Sequence, residues 1–156
     1  MNAFARLTEI IQALNDRNVD YVLFGGQAVN LQGIPRFTED IALFISPTPE
    51  NVERLRQALR RIWHDAAIDD IRAEDLCGEY AVVRYGTPDG FAIDLVSRIG
   101  DAFTFADIES EMMPLGDVRV RIATPRMLYR MKRHTIRPID QGDALDLKVK
   151  FHLKDD

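Results

Sequence analysis

Residues 2–17 carry Phe4, Leu7, Ile10, Ile11 and Leu14 at helical spacing, with Arg6, Glu9, Gln12 and Asp16 on the other face. That periodicity predicts an amphipathic helix with one docked side. The apolar run Tyr21-Val22-Leu23-Phe24 follows and stops at Gly25-Gly26, after which residues 27–32 mix polar and apolar positions before Gly33. The order reads as strand, glycine turn, short helix. Residues 41–45 form a second apolar run, closed by Pro47 and Pro49, and residues 50–64 place Val52, Leu55, Leu59 and Ile62 on one stripe. A strand and a helix are predicted there.

The second half is richer in strands. Residues 81–85 and 91–96 flank Thr87-Pro88-Asp89-Gly90, a turn sequence whose glycine suits a positive φ, so a β-hairpin is predicted. Val118-Arg119-Val120-Arg121-Ile122 alternates strictly and predicts a strand with one wet face. Pro125 suits the first turn of a helix running to about His134, and a last helix is expected over about residues 139–153. No repeat, linker or low-complexity segment interrupts this order. The pattern predicts an α/β (α+β) fold, one domain over residues 1–156, with a small mixed sheet and helices from about 125 to 154 at its C-terminal end.

Composition narrows the class. The 156 residues are 46% apolar and 29% charged, enough for one core and too apolar for a disordered chain. A single cysteine, Cys77, rules out an intramolecular disulfide framework, which points to a reducing, cytoplasmic setting; Cys77 itself is expected as a small buried residue. The longest uncharged stretch, residues 21–35, is broken by Gln27, Asn30, Gln32 and three glycines, so no membrane span or signal peptide is expected. With 25 acidic against 20 basic residues the net charge is −5, which argues against indiscriminate nucleic-acid binding.

Three local features carry the candidate chemistry: Gly25-Gly26 after the first strand, Arg36-Phe37-Thr38-Glu39-Asp40-Ile41-Ala42-Leu43 entering the second, and Ile93-Asp94-Leu95 on a later one. Their order and spacing resemble the nucleotidyltransferase superfamily that includes DNA polymerase β, most closely its small bacterial AbiEii-like and MNT-like branch. The family signature is Gly-Gly or Gly-Ser, a short helix, Thr-x-Asp-Ile-Asp-Leu, and a third Asp on an adjacent strand. The resemblance spans residues 21–146 and implies a minimal nucleotidyltransferase fold with a largely antiparallel sheet. It also implies transfer of NMP from an NTP to a hydroxyl acceptor, a tRNA or a protein, and a toxin-antitoxin or defence role with a cognate antitoxin.

The pattern has a physical reason. Positions 40 and 42 project to the same strand face, and Asp94 on a paired strand can join them. Three carboxylates there hold two Mg²⁺ or Mn²⁺ ions, which bind the triphosphate and neutralise the leaving pyrophosphate. The glycine turn leaves backbone N–H groups free for phosphate oxygens. The expected metal ligands are therefore Asp40 and Asp94, and the expected nucleotide-binding positions include Gly25, Gly26, Arg36 and Thr38. Taken alone, Gly25-Gly26 is a turn, Asp40 a strand-edge residue or cap, and Asp94 a residue on a solvated hairpin face.

The sequence departs from the signature at Ala42, which stands where the second Asp belongs and offers a metal no oxygen. Glu39 points to the opposite face if the register holds, so it is no substitute. Loss of most catalysis is expected, and a catalytically silent nucleotide-binding or protein-interaction module is the alternative function.

Residues 118–139 contain Arg119, Arg121, Arg126, Arg130, Lys132, Arg133 and Arg137 without one Asp or Glu. Arg126, Arg130, Arg133 and Arg137 make one helical stripe, either a solvated face or a surface for triphosphate or an RNA acceptor. Lys132 with Asp140 and Asp143 resembles the C-terminal Lys and Lys/Arg-x-x-Asp-x-x-Asp elements of the family, which implies nucleotide handling by Lys132 and a place on the active-site rim for the two acids. Asp140 and Asp143 read equally as a cap and a first-turn carboxylate of the last helix. No hydrolase Gly-x-Ser-x-Gly, zinc spacing, dinucleotide fingerprint or Walker motif is present.

Overall fold

The computed structural model describes residues 2–78, 80–133 and 138–155. Its first half alternates as the periodicity predicts: α1 (Ala3–Asp16), β1 (Tyr21–Phe24), α2 (Gly25–Leu31), β2 (Ile41–Ile45) and α3 (Pro49–Arg60). The second half contributes β3 (Tyr80–Gly86), β4 (Ala92–Ile99), the two-residue β5 (Phe103–Thr104), β6 (Ser110–Leu115), β7 (Val118–Ala123), α4 (Pro125–Lys132) and α5 (Pro138–Phe151).

The strands form one mixed sheet in the order β3-β4-β2-β1-β7-β6, with β5 added to β4. The pairs β1/β7 and β2/β4 are parallel, and β1/β2, β3/β4, β4/β5 and β6/β7 are antiparallel. This matches the expected small, largely antiparallel sheet. The central strands β1 and β2 are almost wholly buried, which is why they read as continuous apolar runs rather than alternating ones. The hairpin turn closes through Thr87 N–H donating to Phe91 O at 2.9 Å, with Gly90 at φ +93°.

Helix ends follow local chemistry. Asn2 and Thr124 cap α1 and α4 by accepting from Ala5 N at 2.8 Å and Met127 N at 3.2 Å, and Pro125 opens α4. Asn51 in α3 is fully buried; its carbonyl accepts from Asp20 N at 2.7 Å and its amide donates to Asp20 O at 3.0 Å and Ser46 O at 2.8 Å. One side chain thus ties the entry of β1 to the exit of β2, the two strands on which the site is built.

Several expectations are corrected. Phe4 is exposed and Ala3 takes the buried place at the start of α1; Phe4 lines a cavity of about 520 Å³ with Asn2, Phe37 and Phe91. α3 ends at Arg60, and Ile62 is half-buried in the turn that follows. α2 begins at Gly25, so both glycines belong to its first turn instead of preceding it. Cys77 is exposed, because the short 3₁₀ turn before it buries Leu76 instead. β6 is an edge strand that the periodicity missed, with exposed Glu111 and Met112 and a proline, Pro114, that its edge position tolerates.

Candidate active site

Strand register assembles the site. Phe24 pairs with Ala42 across β1/β2, Ala42 with Asp94 across β2/β4, and Asp94 with Arg84 across β3/β4, giving one row over four neighbouring strands. Asp40 stands just before β2 and is fixed by its own backbone contact: Oδ1 accepts from Ala92 N at 2.9 Å. The two predicted carboxylates, far apart in sequence, converge on one guanidinium. Arg84 Nη2 lies 2.9 Å from Asp40 Oδ2, and Arg84 Nη1 lies 3.0 and 3.2 Å from the two oxygens of Asp94.

Arg84 is the site residue that sequence reasoning missed. Its signal was present, because counting back from the Thr87–Gly90 turn places it opposite Asp94. The hydrogen bond to Asp40 and the charge of Asp94 push its guanidinium still higher than its ordinary value, so it is a permanent cation there.

The glycine turn packs against the segment entering β2. A Cβ on Gly26 would stand 2.5 Å from Arg36 Nη1 and 2.9 Å from Thr38 Oγ1, and one on Gly25 would stand 3.1 Å from the Ala42 Cβ. Gly25 also has φ +74°. Both positions are crowded, and Arg36 and Thr38 lie over the turn.

Behind this row sits a buried charge cluster. Lys132 Nζ lies 3.0 Å from Asp140 Oδ1 and 3.1 Å from Asp143 Oδ2, and Arg36 Nη1 lies 3.0 Å from the same Asp143 oxygen. Asp140 belongs to the first turn of α5, yet both acids face Lys132 rather than solvent. A cavity of about 790 Å³ is lined by Gly25, Gly26, Thr38, Asp40, Asp94 and Lys132, together with Arg36, Ala42, Arg84 and Asp140. Asp143 alone among the expected site residues is absent from that lining and sits beneath it. Val82, Val96, Ile99, Leu128, Met131 and Ile139 supply the apolar wall.

The basic segment is less uniform than its sequence. Arg126 pairs with Glu109 at 3.3 Å, Arg133 with Asp155 at 3.7 Å, and Arg130 lies over the Phe103 ring, while Lys132 is buried. Arg119 and Arg121 occupy the wet face of β7 as expected. Arg137, the end of the expected stripe, lies outside the described residues.

The donor set can be tested against two divalent ions. Ala42 offers no oxygen, and both Asp40 and Asp94 are engaged by Arg84. Among the described residues no group of three or more His, Cys, Asp or Glu side chains is arranged to hold a metal. Two carboxylates would serve at most one ion that takes its remaining ligands from elsewhere, and they do not suit a two-ion cage.

This sheet, with a glycine turn facing one carboxylate just before β2 and another on β4, is a nucleotidyltransferase fold. It resembles an antigenic nucleotidyltransferase-like protein from Paracoccidioides brasiliensis at 15% identity and TM-score 0.58, over 96% of this chain and 78% of that one. The lincomycin-bound lincosamide antibiotic adenylyltransferase LnuA is similar at 14% identity and TM-score 0.58, over 92% of this chain and 95% of that one. A family model described as "Nucleotidyl transferase AbiEii toxin, Type IV TA system" matches residues 11–149, and the chain belongs to that family. No curated protein matches it. Among the described residues, no helix is long and apolar enough to cross a membrane.

Proposed function

We propose that this chain binds an NTP in the cavity between the glycine turn and α4, and transfers its NMP to a hydroxyl of a tRNA or protein at a rate limited by Ala42. The observation that carries this reading is the convergence of Asp40 and Asp94 beside Gly25 and Gly26 on one cavity wall. Backbone N–H groups of the glycine turn, with Arg36 and Thr38, meet phosphate oxygens. The base lies against the apolar wall formed by residues such as Val82, Leu128 and Met131. Lys132 faces the cavity with its charge balanced by Asp140 and Asp143, so it orients phosphate more than it attracts it.

Charge supports a divalent ion as part of the ligand. Among the described residues lining the cavity, Arg36, Arg84 and Lys132 stand against Glu39, Asp40, Asp94 and Asp140, so a bare triphosphate meets no net positive charge from them. One Mg²⁺ or Mn²⁺, held by Asp40 and Asp94 and shared with the phosphates, would supply that charge and polarise the phosphate under attack. Asp40, fixed by Ala92 N–H, supplies a ligand oxygen in a set position.

A second reading is favoured by one observation, Ala42 in the row where a third carboxylate belongs: nucleotide binding without appreciable transfer. Membership of a toxin family supports a toxin-antitoxin role with a cognate antitoxin in either case. Thermal shift with each NTP, with and without Mg²⁺, tests the binding site itself. A rise of several degrees is expected for NTP with Mg²⁺, since ligand at about 100 times its Kd adds about 2.7 kcal/mol. It should vanish in Asp40→Asn. No shift with any NTP at millimolar concentration would remove the site as assigned.

A further inference from the structure

We propose that Arg84 is a built-in counter-cation that competes with the divalent ion for Asp40 and Asp94, so that metal binding requires its expulsion. The inference rests on the reading that those two carboxylates are the metal site.

A cross-strand Arg–Asp pair is an ordinary feature of antiparallel sheets. Arg84 goes beyond it. Its register partner is Asp94 on the adjacent strand, yet its second terminal nitrogen reaches past β4 to Asp40 at the mouth of β2. A single guanidinium therefore spans both carboxylates, and its one positive charge offsets part of two negative ones. An ion ligated by Asp40 and Asp94 would draw on the oxygens that this guanidinium engages and would be repelled by its charge.

The arrangement is also built to release. The Arg84 side chain is 60% exposed, against 33% and 29% for its two partners, so solvent surrounds the latch more than the site it closes. Exposed ion pairs contribute little net stability and exposed side chains change rotamer quickly. Asp40 does not depend on Arg84 for its position, because Ala92 N–H holds its other oxygen. Asp94 is placed by its strand, opposite Ala42. When Arg84 swings away, the two ligands stay where they are. The absence of a carboxylate at position 42 matters here as well, since a third negative charge in the row would strengthen the hold on a divalent ion against the same competitor.

Mn²⁺ titration of the full chain by electron paramagnetic resonance, without nucleotide, tests the competition. Arg84→Gln is expected to bind Mn²⁺ at least about tenfold more tightly than the unmodified chain, and adding Asp40→Asn to it should abolish the gain. Arg84→Lys, which keeps the charge but spans the two acids less well, should fall between them. Mn²⁺ should also raise the melting temperature of Arg84→Gln more than that of the unmodified chain, a readout independent of catalysis. If all three proteins bind Mn²⁺ equally, and Asp40→Asn abolishes binding, the competition is wrong while the metal site stands. If none binds Mn²⁺ even with NTP present, the metal site is wrong and the competition falls with it.

Discussion

Gly25 and Ala42 meet where β1 ends and β2 begins: a Cβ placed on Gly25 would lie 3.1 Å from the Ala42 Cβ. Gly25 also holds φ +74°, a conformation that costs an L-residue about 1–2 kcal/mol. Gly25→Ala therefore combines backbone strain with a contact that must give. It should lower stability by about 1–3 kcal/mol in urea denaturation and remove any nucleotide-induced thermal shift. Unchanged stability would show that the turn relaxes and that glycine is not required there.

Lys132 should be a structural residue as much as a binding one. Its side chain is 9% exposed, and its removal takes a cation away from two buried carboxylates, Asp140 and Asp143. Lys132→Met is expected to cost about 3–5 kcal/mol, the usual penalty for breaking a buried pair from one side. Adding Asp140→Asn should return part of that loss in a double-mutant cycle. A loss in the double variant equal to the sum of the two single losses would mean that Lys132 and Asp140 are not coupled.

Stability should fall in acid partly through Asp89. Arg6 donates to it at 2.7 Å and Trp63 Nε1–H at 3.3 Å, and the Arg6 contact above all holds the Asp89 carboxyl below the usual carboxylate range. A depressed folded value means that the stabilisation is present above the unfolded value, about pH 4, and is lost as pH falls through the folded one. Asp89→Asn should therefore show a smaller drop in melting temperature between pH 7 and pH 3 than the unmodified chain. The same drop in both proteins would assign the acid sensitivity to other carboxylates.

Much of this architecture can be read from the residues, for reasons that also explain the gaps. β1 and β2 are apolar on both faces and bounded by Gly25 and Pro47, so length and punctuation define them. β7 declares itself by alternation. β6 does not, since an edge strand with exposed Glu111 and Met112 has no buried face to impose a period. Phe4 shows the limit of helical periodicity, which gives a stripe but not how far along the helix a partner surface extends. At the site, Asp94 could be placed because position on a strand fixes which face a side chain takes, while Asp40 and the glycines were picked out by their spacing around the first two strands. Arg84 was not read, because a charged residue in the alternating hairpin looks like solvated surface until the register sets it opposite Asp94. The burial of Lys132 beneath a basic segment depends on the packing of α4 against α5, which local sequence does not reveal.

The most direct test of the account is transfer of label from α-³²P NTP in excess Mg²⁺ to RNA or protein of a cell lysate, comparing the unmodified chain with Ala42→Asp. Position 42 pairs with Asp94 across β2/β4 and lies on the face of Asp40, so the added carboxylate completes the row that two-ion transfer needs. The account predicts transfer at least about 100-fold faster in Ala42→Asp, the scale on which one lost electrostatic contact slows a reaction. Without metal the variant should be less stable, because like charges gather in one row, and Mg²⁺ should raise its melting temperature more than that of the unmodified chain. Equal rates in the two proteins, or no transfer by either, would contradict the claim that Ala42 is what limits this nucleotidyltransferase.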